Sequence, residues 1–97
     1  FNIGLTYGTP VESIKNIVIA IEAMINAHPN TPADGARVRF QEFGASSLDL
    51  LVLYYVDSPD WELLIDTRQA INFSIIEIVK EHGSDFAFPT TSVFLEK

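Results

Sequence analysis

Two segments of the chain carry large apolar residues three and four positions apart, and each is entered through a Ser/Thr and Pro turn. Val11, Ile14, Ile17, Val18, Ile21, Met24 and Ile25 form the first stripe, and Trp61, Leu64, Ile71, Ile75, Ile78 and Val79 the second. That spacing puts each set on one face of an α-helix, and a helix with one apolar face must bury it against another element. Alternating runs elsewhere supply that element. Phe1, Ile3, Leu5 and Tyr7 alternate with small or polar residues, the pattern of a half-buried strand. Further strands are predicted over about residues 37–43 and 48–56, joined by "GASS", and a short last one in "FAFP".

The ends of these elements can be read as well. Thr9 is expected to cap the first helix, with Pro10 in its first turn and Glu12 completing a capping box. The helix should stop near His28, because Pro29 follows, and "HPNTPADGA" reads as a loop. The second helix repeats the plan, with Ser58 as N-cap, Pro59 next, and Asp60 and Glu62 where the helix dipole favours acids. Gly83 is placed to end it. The order is strand, helix, strand, strand, helix, strand. The predicted fold class is α+β, a ferredoxin-like βαββαβ arrangement with a four-stranded antiparallel sheet and both helices on one face.

The third strand does not fit a one-faced sheet. In "LDLLVLYYV", Leu50, Val52, Tyr54 and Val56 point one way and Leu51, Leu53 and Tyr55 the other. A hairpin with Phe40 opposite Leu50 puts Arg39 opposite Leu51 and Arg37 opposite Leu53. Two readings follow. Either the arginine stems cover the leucines while their charges stay in water, or Leu51, Leu53 and Tyr55 meet a partner, since contiguous exposed apolar patches mark contacts.

Composition removes whole function classes. With 97 residues the chain supports one domain, and 47% hydrophobic residues exclude disorder as its main state. Thirteen acids against six Lys and Arg give a net charge of −7, the wrong sign for binding nucleic-acid phosphates. No apolar run approaches the roughly 20 residues of a membrane span. There is no Cys, which excludes disulfide scaffolds, thiolate zinc sites and cysteine nucleophiles. The chain opens directly into a strand at Phe1, as a piece of a longer protein would.

"IGLTYGTPVE", "VRFQEFGASSLDLLVLYYV", "DWELLIDTRQAIN" and "FAFPTTSVFLE" occur in the order and spacing of the small-conductance mechanosensitive channel (MscS) family. Nearly the whole chain resembles the C-terminal cytoplasmic α/β domain of that family. The resemblance implies a homo-heptameric parent in the inner or plasma membrane, releasing ions and small solutes on hypo-osmotic shock. It implies a cytoplasmic place for this domain, in the wall of a hollow vestibule, with copies of itself and the upstream membrane and β-domains as partners and permeating ions nearby. It divides the chain into residues 1–89, the ferredoxin-like domain, and 90–97, a tail whose Val93, Phe94 and Leu95 would join a shared barrel to which each subunit contributes one strand. The fragment itself would not conduct, because the pore-lining segments lie upstream. The chain departs from the family at Gly8, where an acid is frequent, at Leu51 and Leu53, where polar residues are usual, and at Thr90 and Thr91, where Gln or Arg is often found.

Catalytic and ligand chemistry finds little footing. His28 and His82 sit at predicted helix C-termini, where a capping role outweighs metal binding. Ser46 and Ser47 lie in a turn after Gly44, without the base and oxyanion site a nucleophile needs. Arg68 interrupts the second helical stripe and is expected to pair with Asp57, Asp60 or Glu42. No enzyme activity, cofactor, metal or nucleic acid is predicted. The rival reading is a small-molecule-binding regulatory domain that dimerises through its sheet, which would also account for apolar residues on the second face.

Overall fold

The computed structural model describes residues 1–87. Strand β1 spans Asn2–Leu5, helix α1 Val11–Asn26, strand β2 Arg37–Phe43, strand β3 Leu48–Leu53 and helix α2 Trp61–Glu81. The strands form a three-stranded antiparallel sheet in the order β1-β3-β2. Phe86 makes a single antiparallel bridge to Leu5 on the outer side of β1. Two backbone bonds flank it, Thr6 N–H to the Asp85 carbonyl at 3.1 Å and Ala87 N–H to the Gly4 carbonyl at 2.9 Å. The structure thus gives the α+β class, two helices and three strands. Phe88 and all that follows, including Val93, Phe94 and Leu95, lie outside the described residues.

One core joins both helices to one face of the sheet. Ile14, Ile17, Ile21 and Ile25 of α1 and Ile71, Ile75 and Val79 of α2 pack with Leu5, Val38, Leu48, Leu50 and Val52. Each fully buried aliphatic side chain contributes about 1.5–3 kcal/mol. The pairing register is the one read from the sequence, with Phe40 opposite Leu50, Arg39 opposite Leu51 and Arg37 opposite Leu53. A bulge between Phe40 and Glu42 then brings Glu42 opposite Asp49.

Several boundaries differ from expectation, each for a local reason. Pro10, not Thr9, occupies the N-cap position of α1, and no side chain caps that end. Thr9 is turned back instead: its hydroxyl donates to the Thr6 carbonyl at 2.8 Å and lies 2.7 Å from the Ser84 hydroxyl. Glu12 closes no capping box and pairs with exposed Lys15. Asp60, not Ser58, caps α2, its carboxylate accepting the Glu62 N–H at 3.0 Å. Ser58 acts one step earlier, its hydroxyl accepting the Asp60 N–H at 3.1 Å.

The helix C-termini also separate the two histidines. His82 is the C-cap of α2, with Nδ1 2.8 Å from the Ile78 carbonyl. Gly83 follows with φ 74°, and the bonds from Gly83 N–H to the Lys80 carbonyl and Ser84 N–H to the Val79 carbonyl complete a Schellman turn. The His28 side chain does not cap α1: it lies past the helix end, and its Nδ1 accepts the Asn30 N–H at 3.1 Å, while only its backbone N–H reaches the Ile25 carbonyl, at 3.1 Å. Thr31 does that work, donating to the Ile25 carbonyl at 2.5 Å.

The sheet is shorter than its sequence pattern. Tyr7 leaves β1 and donates its hydroxyl to the Gly44 carbonyl, and Tyr54, Tyr55 and Val56 continue past the end of β3. Gly44 does not supply left-handed backbone freedom, since Gly83 is the glycine with positive φ among the described residues. It supplies room, because a Cβ there would lie 2.8 Å from an Asp49 carboxylate oxygen and 3.0 Å from the Ser47 carbonyl.

Candidate functional site

The sheet face turned away from the helices carries Leu51 and Leu53 on β3, with Arg39 and Arg37 across from them. The arginines do not bring their charges to the leucines. Arg39 reaches around the β2 edge to Glu22 on α1, at 2.7 Å. The same Glu22 oxygen accepts the Val38 N–H at 2.9 Å, so one carboxylate satisfies an edge-strand donor and a guanidinium together. That backbone bond, more than Arg39, holds the Glu22 carboxyl below its ordinary value, against the opposing effect of burial. Arg37 donates to the Asp34 and Ala36 carbonyls, both at 2.7 Å. Leu51 stays half-buried, while Leu53 is 48% exposed and Tyr55 62%.

Near Leu53 the chain forms a cleft of about 390 Å³ lined by Phe1, Leu53, Tyr54, Tyr55, Leu64 and Arg68 among others. Phe1 meets Tyr54 edge-on, ring centroids 6.3 Å apart. The Arg68 guanidinium lines the same cleft as Tyr54 and acts on its phenol; none of the ion pairs among the described residues joins Arg68 to Asp57, Asp60 or Glu42. Burial raises the Tyr54 phenol above its ordinary value, and the charge and hydrogen bond of Arg68 partly oppose that.

A second apolar surface was missed in the sequence. Trp61, expected in the core, is 68% exposed, and the buried face of α2 includes Thr67 instead, whose hydroxyl accepts from the Asn30 amide at 3.1 Å. Trp61 heads another row on the flank of α2, with Ile65, Phe73 and Ile76, all exposed, and with Arg68 and Asn72 between them. The positions were readable: 61, 65, 68, 72 and 76 also repeat at three and four, beside the stripe that was assigned to the core.

Ser46 and Ser47 stand in the β2–β3 turn, where Ser47 donates to Asp49 at 2.5 Å. Among the described residues, no group of three or more His, Cys, Asp or Glu is placed to hold a metal ion. Nor is any described helix long and apolar enough to cross a membrane. What the geometry offers is surface for contact.

A family model described as the C-terminal part of the mechanosensitive ion channel MscS matches residues 1–86. The chain belongs to the MscS family. An uncharacterized MscS family protein of Aquifex aeolicus is 40% identical over 98 residues, spanning 100% of this chain and 27% of the relative. The small-conductance mechanosensitive channel MscMJ of Methanocaldococcus jannaschii is 41% identical over 95 residues, 98% of this chain and 27% of that protein. The low conductance mechanosensitive channel YnaI of Escherichia coli is 31% identical over 95 residues, 94% of this chain and 28% of that protein. The chain thus spans about a quarter of the length of these MscS relatives, and the surfaces described above belong to the C-terminal domain of that family.

Proposed function

We propose that this domain helps to wall the cytoplasmic vestibule of a membrane channel that opens under bilayer tension and releases ions and small solutes on hypo-osmotic shock. The family match over residues 1–86 carries the reading. The names of MscMJ and YnaI as mechanosensitive channels support it. In this reading the parent sits in the inner or plasma membrane as a homo-heptamer, and the domain is cytoplasmic, non-enzymatic and non-conducting alone. Its fold is a ferredoxin-like domain over residues 1–89, in which the bridge at Phe86 begins a fourth strand along β1. Residues 90–97 add Val93, Phe94 and Leu95 to a barrel shared among subunits. Leu51, Leu53 and Tyr55 form a subunit or domain contact. The support for that contact is that Leu53 and Tyr55 stay exposed beside the two arginines.

The test is survival of osmotic downshock in a bacterial strain lacking its own mechanosensitive channels. Expression of the complete gene product should rescue survival and yield tension-gated currents in membrane patches. A protein that neither rescues nor conducts would overturn the channel reading. The rival is a ligand-binding regulatory domain dimerising through its sheet, for which the cleft lined by Tyr54, Tyr55 and Arg68 would be the place to look for a ligand. A soluble, dimeric gene product would select that rival.

A further inference from the structure

We infer that helix α1 guards the free edge of the sheet: Glu22 and Asn26 occupy the backbone donors through which β2 would otherwise pair, unproductively, with an extended strand of another molecule. Three observations carry it.

The first is which edge is open. The outer side of β1 is already taken, by the bridge from Leu5 to Phe86 and the backbone bonds on either side of it. β2 is the opposite edge, with no strand beyond it among the described residues. At seven residues it is the longest of the three strands, and it carries Val38, Phe40 and Phe43. An edge of that kind is a template for strand addition unless something blunts it.

The second is a match of spacing. Ala36, just before β2, and Val38 turn their N–H groups away from β3 and toward α1. The Asn26 side-chain oxygen accepts from Ala36 at 2.9 Å, and a Glu22 carboxylate oxygen accepts from Val38 at 2.9 Å. Donors two residues apart on a strand repeat about every 6.8 Å, and side chains four apart on a helix about every 6 Å. The helix therefore fills the acceptor positions that the carbonyls of a neighbouring strand would take. Arg39, bonded to the same Glu22 carboxylate at 2.7 Å, closes over the edge.

The third is what happens where the helix runs out of acceptors. One turn toward the start of α1 stands Val18, which has none to offer Phe40, the next outward position on β2. There the strand bulges, between Phe40 and Glu42. A bulge breaks the alternation of the backbone groups and is a recurrent way of blunting an edge. Side chains guard the first half of β2 and the bulge the second, and the changeover falls where the acceptors end.

The test uses the complete gene product, held below its unfolding temperature and followed by thioflavin fluorescence and by exchange of the Val38 amide hydrogen. Glu22→Ala with Asn26→Ala should speed both the exchange and the growth of thioflavin-positive assemblies several-fold over the parent. Glu22→Gln with Asn26→Asp keeps an acceptor at each position and should stay near the parent in both. Proline separates guarding from mere stapling of helix to strand. Phe40→Pro, added to the alanine pair, removes an outward N–H and blocks strand addition without restoring stability, so it should return growth to the parent rate. Alanine variants that assemble no faster than the parent, or whose Val38 amide exchanges no faster, overturn the inference. So does assembly that proline leaves unchanged or that the acceptor-keeping pair shares. If the alanine pair does not fold, Glu22→Ala and Asn26→Ala singly carry the same readings.

Discussion

The two faces of β3 are made of the same residue type and have opposite fates. Leu48, Leu50 and Val52 are buried under two helices, whereas Leu53, one position on, is half exposed. Hydrophobicity alone does not separate them. The difference is topological: both helices lie on one face, and the two arginines that could have shielded the other are drawn to Glu22 and to the Asp34 and Ala36 carbonyls. One face stabilises the domain. The other costs it exposed apolar surface, which points to a use outside the folded unit.

The comparison can be tested first where the effect should be largest. Leu50 is fully buried. Leu50→Ala should cost about 2–5 kcal/mol of folding free energy, read from the denaturation midpoint of the chain. A loss below 1 kcal/mol, on the order of a surface change, would mean the helix-covered face is not the core.

Next comes the device that keeps the faces apart. A register slip of one residue would exchange them, and the hairpin turn at Gly44 fixes the register, its N–H donating to the Ser47 carbonyl at 2.6 Å. Gly44→Ala forces a Cβ against Asp49 and Ser47 and should destabilise by roughly 1–3 kcal/mol. By contrast Gly83→Ala meets open space, and its cost is purely the left-handed backbone, about 1 kcal/mol. Thermal melts check this; a Gly44→Ala variant as stable as the parent would show that space at Gly44 is not the constraint.

The periods and the turn gave away most of the fold from sequence. The register of β2 on β3 followed from keeping Phe40 beside Leu50, and it holds. The capping assignments were one or two residues off because Ser, Thr and Asp compete for the same job. Only the folded chain shows that Thr9 prefers Thr6 and Ser84. Trp61 was assigned to the core because size was read as burial; the helix has two apolar rows, and composition does not say which faces inward. The site was half legible. The two-faced strand named Leu51, Leu53 and Tyr55, but Arg68 beside Tyr54 rather than an acid depends on where β3 stops, which no local pattern fixes.

Glu22 sharpens the contrast, because its carboxylate holds the Arg39 guanidinium on the α1 side of β2. Its side chain is 29% exposed. Glu22→Ala should cost about 1–2 kcal/mol near neutral pH, the lower part of the range for a hydrogen bond to a charged group because the carboxylate is partly exposed. Because the folded pKa is lowered from 4.5, this contribution is present above that value and is lost as pH falls through the folded one. The stability gap between parent and variant should therefore narrow in acid. A gap independent of pH would show that shape, not charge, fixes the edge.

The smallest effect on folding is the most telling one. Leu53→Ser removes an exposed leucine from the open face and should shift the stability of the isolated chain by no more than about 0.5 kcal/mol. It should nevertheless lower the oligomer yield of the complete gene product, measured by light scattering. A residue that matters to assembly and not to the fold is one whose partner lies outside the domain. Should Leu53→Ser instead destabilise the isolated chain as Leu50→Ala does, the open face would be part of the core after all, and the distinction between the two sides of β3 would have no functional content.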